Sequence, residues 1–232
     1  MQAVWVVVSV VLGYLIGSIP FGWVVVKVST GRDIREVESG RTGGTNALRA
    51  AGVWAGIATA LLDILKGACA VWVARWLTAG NAWAESLAPL AAILGHNYSL
   101  YLIERGADGR IKLRGGAGAA PCAGGAMALW APSVLILVPL GALILYFVGY
   151  ASVATMSVGL VVATIFALRY FAGLSEWQNI LYGLLAFGAM LWALRPNIKR
   201  LIDGNERLVG LRARRRKKQA EAHHSSSDTT SS

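Results

Sequence analysis

The chain has 232 residues, of which 56% are hydrophobic and only 15% charged, and its mean hydropathy is +0.54. Soluble domains usually carry about 25% charged residues, so this composition excludes an ordinary soluble globule and a disordered chain alike. The net charge of +10 lies between long apolar runs and in a C-terminal tail, not interleaved with aromatics on a polar domain; that pattern fits a membrane and not nucleic acid.

Seven apolar segments are predicted in chain order, at roughly 3–26, 52–77, 82–103, 116–131, 133–149, 151–170 and 177–194. A span takes about 20 helical residues. The fourth and fifth segments, interrupted by Pro132 and Pro139, fit least well, so six or eight spans stand as alternatives to seven. The first run carries no charge from Ala3 to Val26 and has no basic residues before it. A signal-peptide core is only about 7–15 residues, so this run is expected to stay as the first helix.

Of the 22 basic residues, 19 lie in 27–51, in 104–115 and from Arg195 onward. Seven spans put all three stretches on one face. Because basic loops stay in the cytoplasm, the N-terminus is predicted outside and the C-terminus inside. The expected architecture is an all-α integral membrane domain over 1–210. Over 211–232 we expect a basic and then Ser/Thr-rich, disordered cytoplasmic tail, with Arg212–Lys218 against anionic lipid. Cys69 and Cys122 lie in apolar runs without metal-ligand spacing and read as small buried hydrophobes. The pair His223-His224 is too weak a motif for a metal, and neither metal nor cofactor is expected.

Three polar segments are richer than connectors need to be. In the first, Ser39, Gly40, Arg41, Thr42, Gly43, Gly44, Thr45, Asn46 and Arg49 follow one another closely ahead of the second long apolar run. Glycines let backbone N–H groups approach a ligand, and N–H groups, hydroxyls and an arginine together make an anion nest. The second joins Gly95-His96-Asn97 to Arg114-Gly115-Gly116-Ala117-Gly118, again ahead of an apolar run. His96 reads equally as an intramembrane functional group and as a satisfied structural histidine. The third is Asn197–Glu206, where the last run ends. Asp63 and Lys66, one turn apart within a run, read as a structural ion pair or as a lysine reaching for a substrate phosphate. There is no GxSxG elbow, P-loop or paired metal-ligand motif. An enzyme of this kind binds anionic substrates, takes an already activated donor, and works by positioning and charge stabilisation.

These residues resemble the bacterial acyl-phosphate:glycerol-3-phosphate acyltransferases of the PlsY type. The resemblance runs through Gly17–Gly22, Asp33-Ile34-Arg35, Ser39–Arg49, Leu62–Gly67, Gly95-His96-Asn97, the glycine cluster at 115–118 and Asn197–Gly210, in order and at the family's spacing. It implies a seven-helix enzyme of the bacterial inner membrane. The implied reaction moves a fatty acyl group from acyl phosphate to the 1-hydroxyl of glycerol 3-phosphate, giving lysophosphatidic acid. Neither metal nor an obligate protein partner is implied. The expected catalytic set is Ser39, Arg49, His96 and Glu206. The expected phosphate and substrate contacts are Gly40, Thr42, Gly43, Thr45, Asn46, Lys66, Arg114, Gly115, Gly116, Gly118 and Asn197.

The chain also departs from the pattern. Ala117 stands where the family usually has a second lysine, Leu194 where it often has a histidine, Leu208 where it has a lysine, and Arg41 where it has an asparagine. A charge-rich insertion, Ala107–Leu113, widens the second polar segment. The alternative is therefore a divergent paralogue with another phosphorylated acceptor or a non-catalytic lipid-binding role.

Overall fold

A computed structural model describes residues 1–219 apart from 107, 108, 214 and 217. The disorder expected beyond 219, and the first two residues of the insertion, lie outside the described residues.

The first apolar run forms two helices, α1 (Gln2–Ser18) and α2 (Phe21–Thr30), broken at Ile19-Pro20. Proline has no N–H to continue the ladder, and at the break the Ile19 carbonyl accepts from Phe21 N at 3.1 Å and from Lys66 Nζ at 2.8 Å. A polar loop leads to the short helix α3 (Gly44–Ala51) and then to α4 (Val53–Thr78). Helix α5 (Ala82–Asn97) starts on Asn81, whose side chain accepts from the N–H groups of Trp83 and Ala84. Packing between the long helices uses small residues, as membrane interiors favour. Gly17 meets the backbone of Ala92, and Gly124 that of Ile64, so closely that neither has room for a Cβ.

The third apolar segment stops short of its expected end. Helix α5 closes at Asn97, and Ser99 Oγ then accepts from Tyr101 N, starting a tight turn. Strands β1 (Ile103–Arg105) and β2 (Ile111–Leu113) follow as an antiparallel hairpin that pairs Glu104 with Lys112. The all-α expectation is thus corrected by one hairpin, which occupies the charge-rich insertion. Helices α6 (Ala119–Leu129) and α7 (Ser133–Leu143) follow, and α7 loosens into a π turn at Ile144–Val148. Then come α8 (Ala151–Phe171), α9 (Trp177–Ala193) and α10 (Arg195–Ile202).

Among the described residues three stretches are long and apolar enough to cross a bilayer: Gln2–Thr30, Val53–Thr78 and Ala151–Phe171. Helices α9 and α10 make a fourth if their 65° bend is one broken span. The protein is an integral membrane protein by this composition and by the fold likeness given below.

The main core lies where α5 to α9 meet, around Ile93, Leu137, Phe166, Tyr182 and Met190. Tyr182 Oη donates to Cys122 O at 2.9 Å, which satisfies the one polar atom of that buried ring. Cys122 is buried as expected, whereas Cys69 is only partly covered. After α10 the chain folds back: Leu208 bridges to Tyr150, and Val209 N donates to Gly149 O at 2.8 Å.

Candidate active site

The three polar segments converge on one cavity of about 990 Å³. The first is shaped from within. Asp33 caps a single 3-10 turn by accepting from Arg35 N, and its carboxylate also takes the Arg35 guanidinium at 2.6 Å. Arg35 holds the Asp33 carboxyl far below the usual carboxylate range. Arg35 reaches on to Glu104 on the hairpin at 2.9 Å, and Arg114 meets the same carboxylate at 2.8 Å. Asn46 Nδ2 donates to the carbonyls of Ile34, Val37 and Arg41, at 3.1, 3.0 and 2.8 Å, so the loop is wound around one buried amide. Thr42 N donates to Gly115 O at 3.3 Å and ties this loop to the second segment.

The loop ends on Gly43, the N-cap of α3. The first N–H groups of a helix have no intrahelical acceptor, and here Gly43, Gly44 and Thr45 line the cavity with Ser39 and Arg49. Arg49 makes no hydrogen bond or ion pair among the described residues; partial burial pulls its pKa down, but arginine stays charged at neutral pH.

The second segment packs around His96. Gly116 N donates to His96 O at 2.8 Å, and Gly116 lies so close to the imidazole that a Cβ would overlap it. His96 Nδ1 stands 3.5 Å from Asp63 Oδ1, and Lys66 Nζ 2.8 Å from the same oxygen. All three side chains are buried. The third segment closes the mouth. Glu206 accepts from Asn197 Nδ2 at 2.8 Å and from Arg200 Nε at 3.0 Å. Its neighbour Arg207 pairs with Glu38 at 3.3 Å.

Of the residues singled out from sequence, Ser39, Gly43, Thr45, Asn46 and Arg49 line the cavity from the first segment. His96, Gly116 and Gly118 line it from the second, and Asn197 and Glu206 from the third. Gly40, Thr42, Lys66, Arg114 and Gly115 do not. Thr42 and Gly115 hold the two loops together, Arg114 serves the Glu104 network, and Lys66 is spent on Asp63 and Ile19 O. The bland alternative for Lys66, a structural ion pair, describes its geometry.

Two features of the site were not placed by the sequence-based expectations. Arg41, counted in the first polar segment and as a departure from the resembled pattern, lies in the wall and donates to Gly116 O at 2.7 Å, to Ala193 O, and to Asn197 Oδ1 at 3.3 Å. The cavity also continues away from its polar mouth along Leu61, Ile64, Met127, Leu135 and Val138, a groove between α4, α6 and α7 with no polar group of its own along those side chains.

The whole chain, not only this site, has known relatives. Residues 7–204 match the family model described as glycerol-3-phosphate acyltransferase. A glycerol-3-phosphate acyltransferase of Thermus thermophilus is 37% identical over 220 residues, covering 92% of this chain and 98% of that protein. One of Rubrobacter xylanophilus is 36% identical over 208 residues, covering 89% and 96%. The fold is similar to the crystal structure of PlsY, an integral membrane glycerol 3-phosphate acyltransferase, in its glycerol 3-phosphate form. The TM-score there is 0.72 at 28% identity, covering 88% of this chain and 96% of that one. The lysophosphatidic acid form gives 0.71 at 26%, covering 88% and 95%. The cavity with its polar mouth thus lies almost wholly within a match that spans nearly the whole chain, and the protein belongs to the glycerol-3-phosphate acyltransferase family.

Proposed function

We propose that this protein transfers a fatty acyl group from acyl phosphate to the 1-hydroxyl of glycerol 3-phosphate, releasing lysophosphatidic acid and inorganic phosphate. The observation that carries the proposal is the continuity of the cavity: an anion-binding mouth runs directly into an apolar groove. An acyl phosphate has that division of polarity. Its chain lies along Leu61, Ile64 and Leu135. Its phosphate takes the free N–H groups at the start of α3, with Ser39 and Arg49 beside them. Likeness to PlsY structures in glycerol 3-phosphate and lysophosphatidic acid forms supports the acceptor and the product.

The donor is a mixed anhydride and is already activated, so no covalent acyl-enzyme is needed. The acceptor's C1 oxygen attacks the acyl carbonyl carbon, the bond from that carbon to the bridging oxygen breaks, and phosphate leaves with its charge held by Arg49 and the helix N–H groups. The hydroxyl proton passes to the departing phosphate or to His96. Asn197, held by Glu206, orients the acceptor. The 19 clustered basic residues support seven spans with the N-terminus outside and the C-terminus inside, in the bacterial inner membrane.

The test is acyl transfer by the purified protein from palmitoyl phosphate to labelled glycerol 3-phosphate. Lysophosphatidic acid formed by the wild type and lost in Arg49→Ala, with the variant still folded, is the expected result. No product from folded wild type sinks it. A second reading, another phosphorylated acceptor, is favoured by the small or apolar Ala117 and Leu194 in the cavity wall. It predicts turnover on a different phosphorylated polyol in the same assay.

A further inference from the structure

The reaction proposed above brings two phosphates into one cavity, and the cations that line it are few. Among the described residues they are Arg41, Arg49 and Arg207, besides the neutral or protonatable His96. Arg207 is committed to Glu38. Arg49 stands on α3 with the donor's phosphate site. Arg41 is joined instead to Asn197 Oδ1 and to the carbonyls of Gly116 and Ala193. It has no ion pair with a carboxylate among the described residues. A guanidinium carries five N–H donors, and these three bonds leave Nε–H and one Nη1–H unspent. A partly buried cation held by three neutral oxygens, with donors to spare, lacks only its anion.

The position of Arg41 is informative as well. The two carbonyls it holds belong to the residues directly before Ala117 and Leu194, two of the places where the chain departs from the resembled pattern. One side chain reaching in from the Ser39–Arg49 loop therefore fills the space beside both. We propose that Arg41 is the residue that binds the phosphate of the acceptor, and that it does so in place of cationic groups at 117 and 194. This rests on the acyl-transfer reading and adds to it a specificity determinant: the site is tuned for a phosphorylated polyol by an arginine of the Ser39–Arg49 loop.

The experiment measures KM for glycerol 3-phosphate and for palmitoyl phosphate separately, in wild type, Arg41→Gln, Arg41→Lys and Arg41→Gln with Ala117→Lys. Losing a charge-assisted bond predicts KM for glycerol 3-phosphate raised about tenfold to a hundredfold in Arg41→Gln, with KM for the donor unchanged. Arg41→Lys recovers part of the loss, and so does Ala117→Lys in the Arg41→Gln background. A purely structural tie between three loops gives a different pattern. It predicts kcat and thermal stability lowered together, no selective change in KM for the acceptor, and no rescue by lysine at 117; that pattern overturns the proposal. Calorimetric binding of glycerol 3-phosphate and of inorganic phosphate to the same proteins in detergent separates the two claims. An inactive wild type that binds glycerol 3-phosphate, with binding lost in Arg41→Gln, removes the reaction but upholds Arg41. Equal binding in both proteins, or binding in neither, overturns it.

Discussion

Two groups of charges lie within this fold and have been treated in opposite ways. Inside the helix packing, Asp63, Lys66 and His96 face one another, and Lys66 spends a further hydrogen bond on the broken end of α1. At the cavity mouth, Arg41 and Arg49 have no carboxylate partner within ion-pair distance among the described residues, and the N–H groups that begin α3 lack acceptors. In the first group the Asp63–Lys66 pair is closed on itself, while Asp63 and His96 also edge the cavity. The second group is left open. Burying charge is costly unless it is paired, so on the proposed reading the open group is where substrate is seated.

The sharpest way to break this contrast is to open the closed group. Lys66→Ala leaves Asp63 buried without its nearest partner, which should cost about 3–5 kcal/mol. Thermal unfolding in detergent should show a large fall in Tm, and Asp63→Asn with Lys66→Met should recover most of it. A small Tm change for Lys66→Ala would mean that the pair is not structural. The converse test is Arg49→Ala. Loss of charge-assisted bonds made only to substrate should remove about 1.5–3 kcal/mol of binding in each state it touches, with Tm nearly unchanged and turnover falling at least tenfold. Gly116→Ala lies between the two, because the added methyl overlaps His96. Overpacking of this kind costs about 1–3 kcal/mol, and both Tm and activity should drop.

The smallest effect belongs to the exposed network that braces the loops. Glu104→Gln releases Arg35 and Arg114 and should cost about 0.2–1 kcal/mol. Asp33 supplies the pH dependence there. Its carboxyl is held below its ordinary range in the folded chain, so its contribution is fully present above the unfolded value of about 3.9. That contribution is lost as pH falls toward the folded pKa. The stability gap between wild type and Asp33→Asn should therefore be constant near neutral pH and should narrow progressively below about pH 4. A gap that widens in acid would place the stabilisation elsewhere.

Long apolar runs made the helices legible, because nothing but helix satisfies the backbone in lipid. Their interruptions were less so. Pro20 did break the first run, yet its apolar neighbours hid the break, and the Ile19 carbonyl there takes a hydrogen bond from Lys66, 47 positions further along the sequence. The third run was read to residue 103 because Tyr101, Leu102 and Ile103 are apolar, although Ser99 had already turned the chain toward the hairpin. The glycines, hydroxyls and arginines of the first segment were legible as a group, and most of them line the cavity. The partners of Arg41 were not, since Gly116, Ala193 and Asn197 are brought to it only by tertiary packing. The apolar groove had no signature either, because residues that face a groove and residues that face lipid look the same in a membrane protein.

One consequence follows from the way the chain returns after α10. The wall of the cavity includes Glu206 and Arg207, and the return is fastened by Leu208 at Tyr150 and by Val209 at Gly149. These residues are made after α1 to α10. A nascent chain made through α10 holds α1 to α10 but has an unfinished cavity, with Asn197 and Arg200 still without their shared carboxylate. The helices are thus assembled ahead of the site, and a chain cut short just before Asn205 would be a membrane protein with nowhere to seat its substrate.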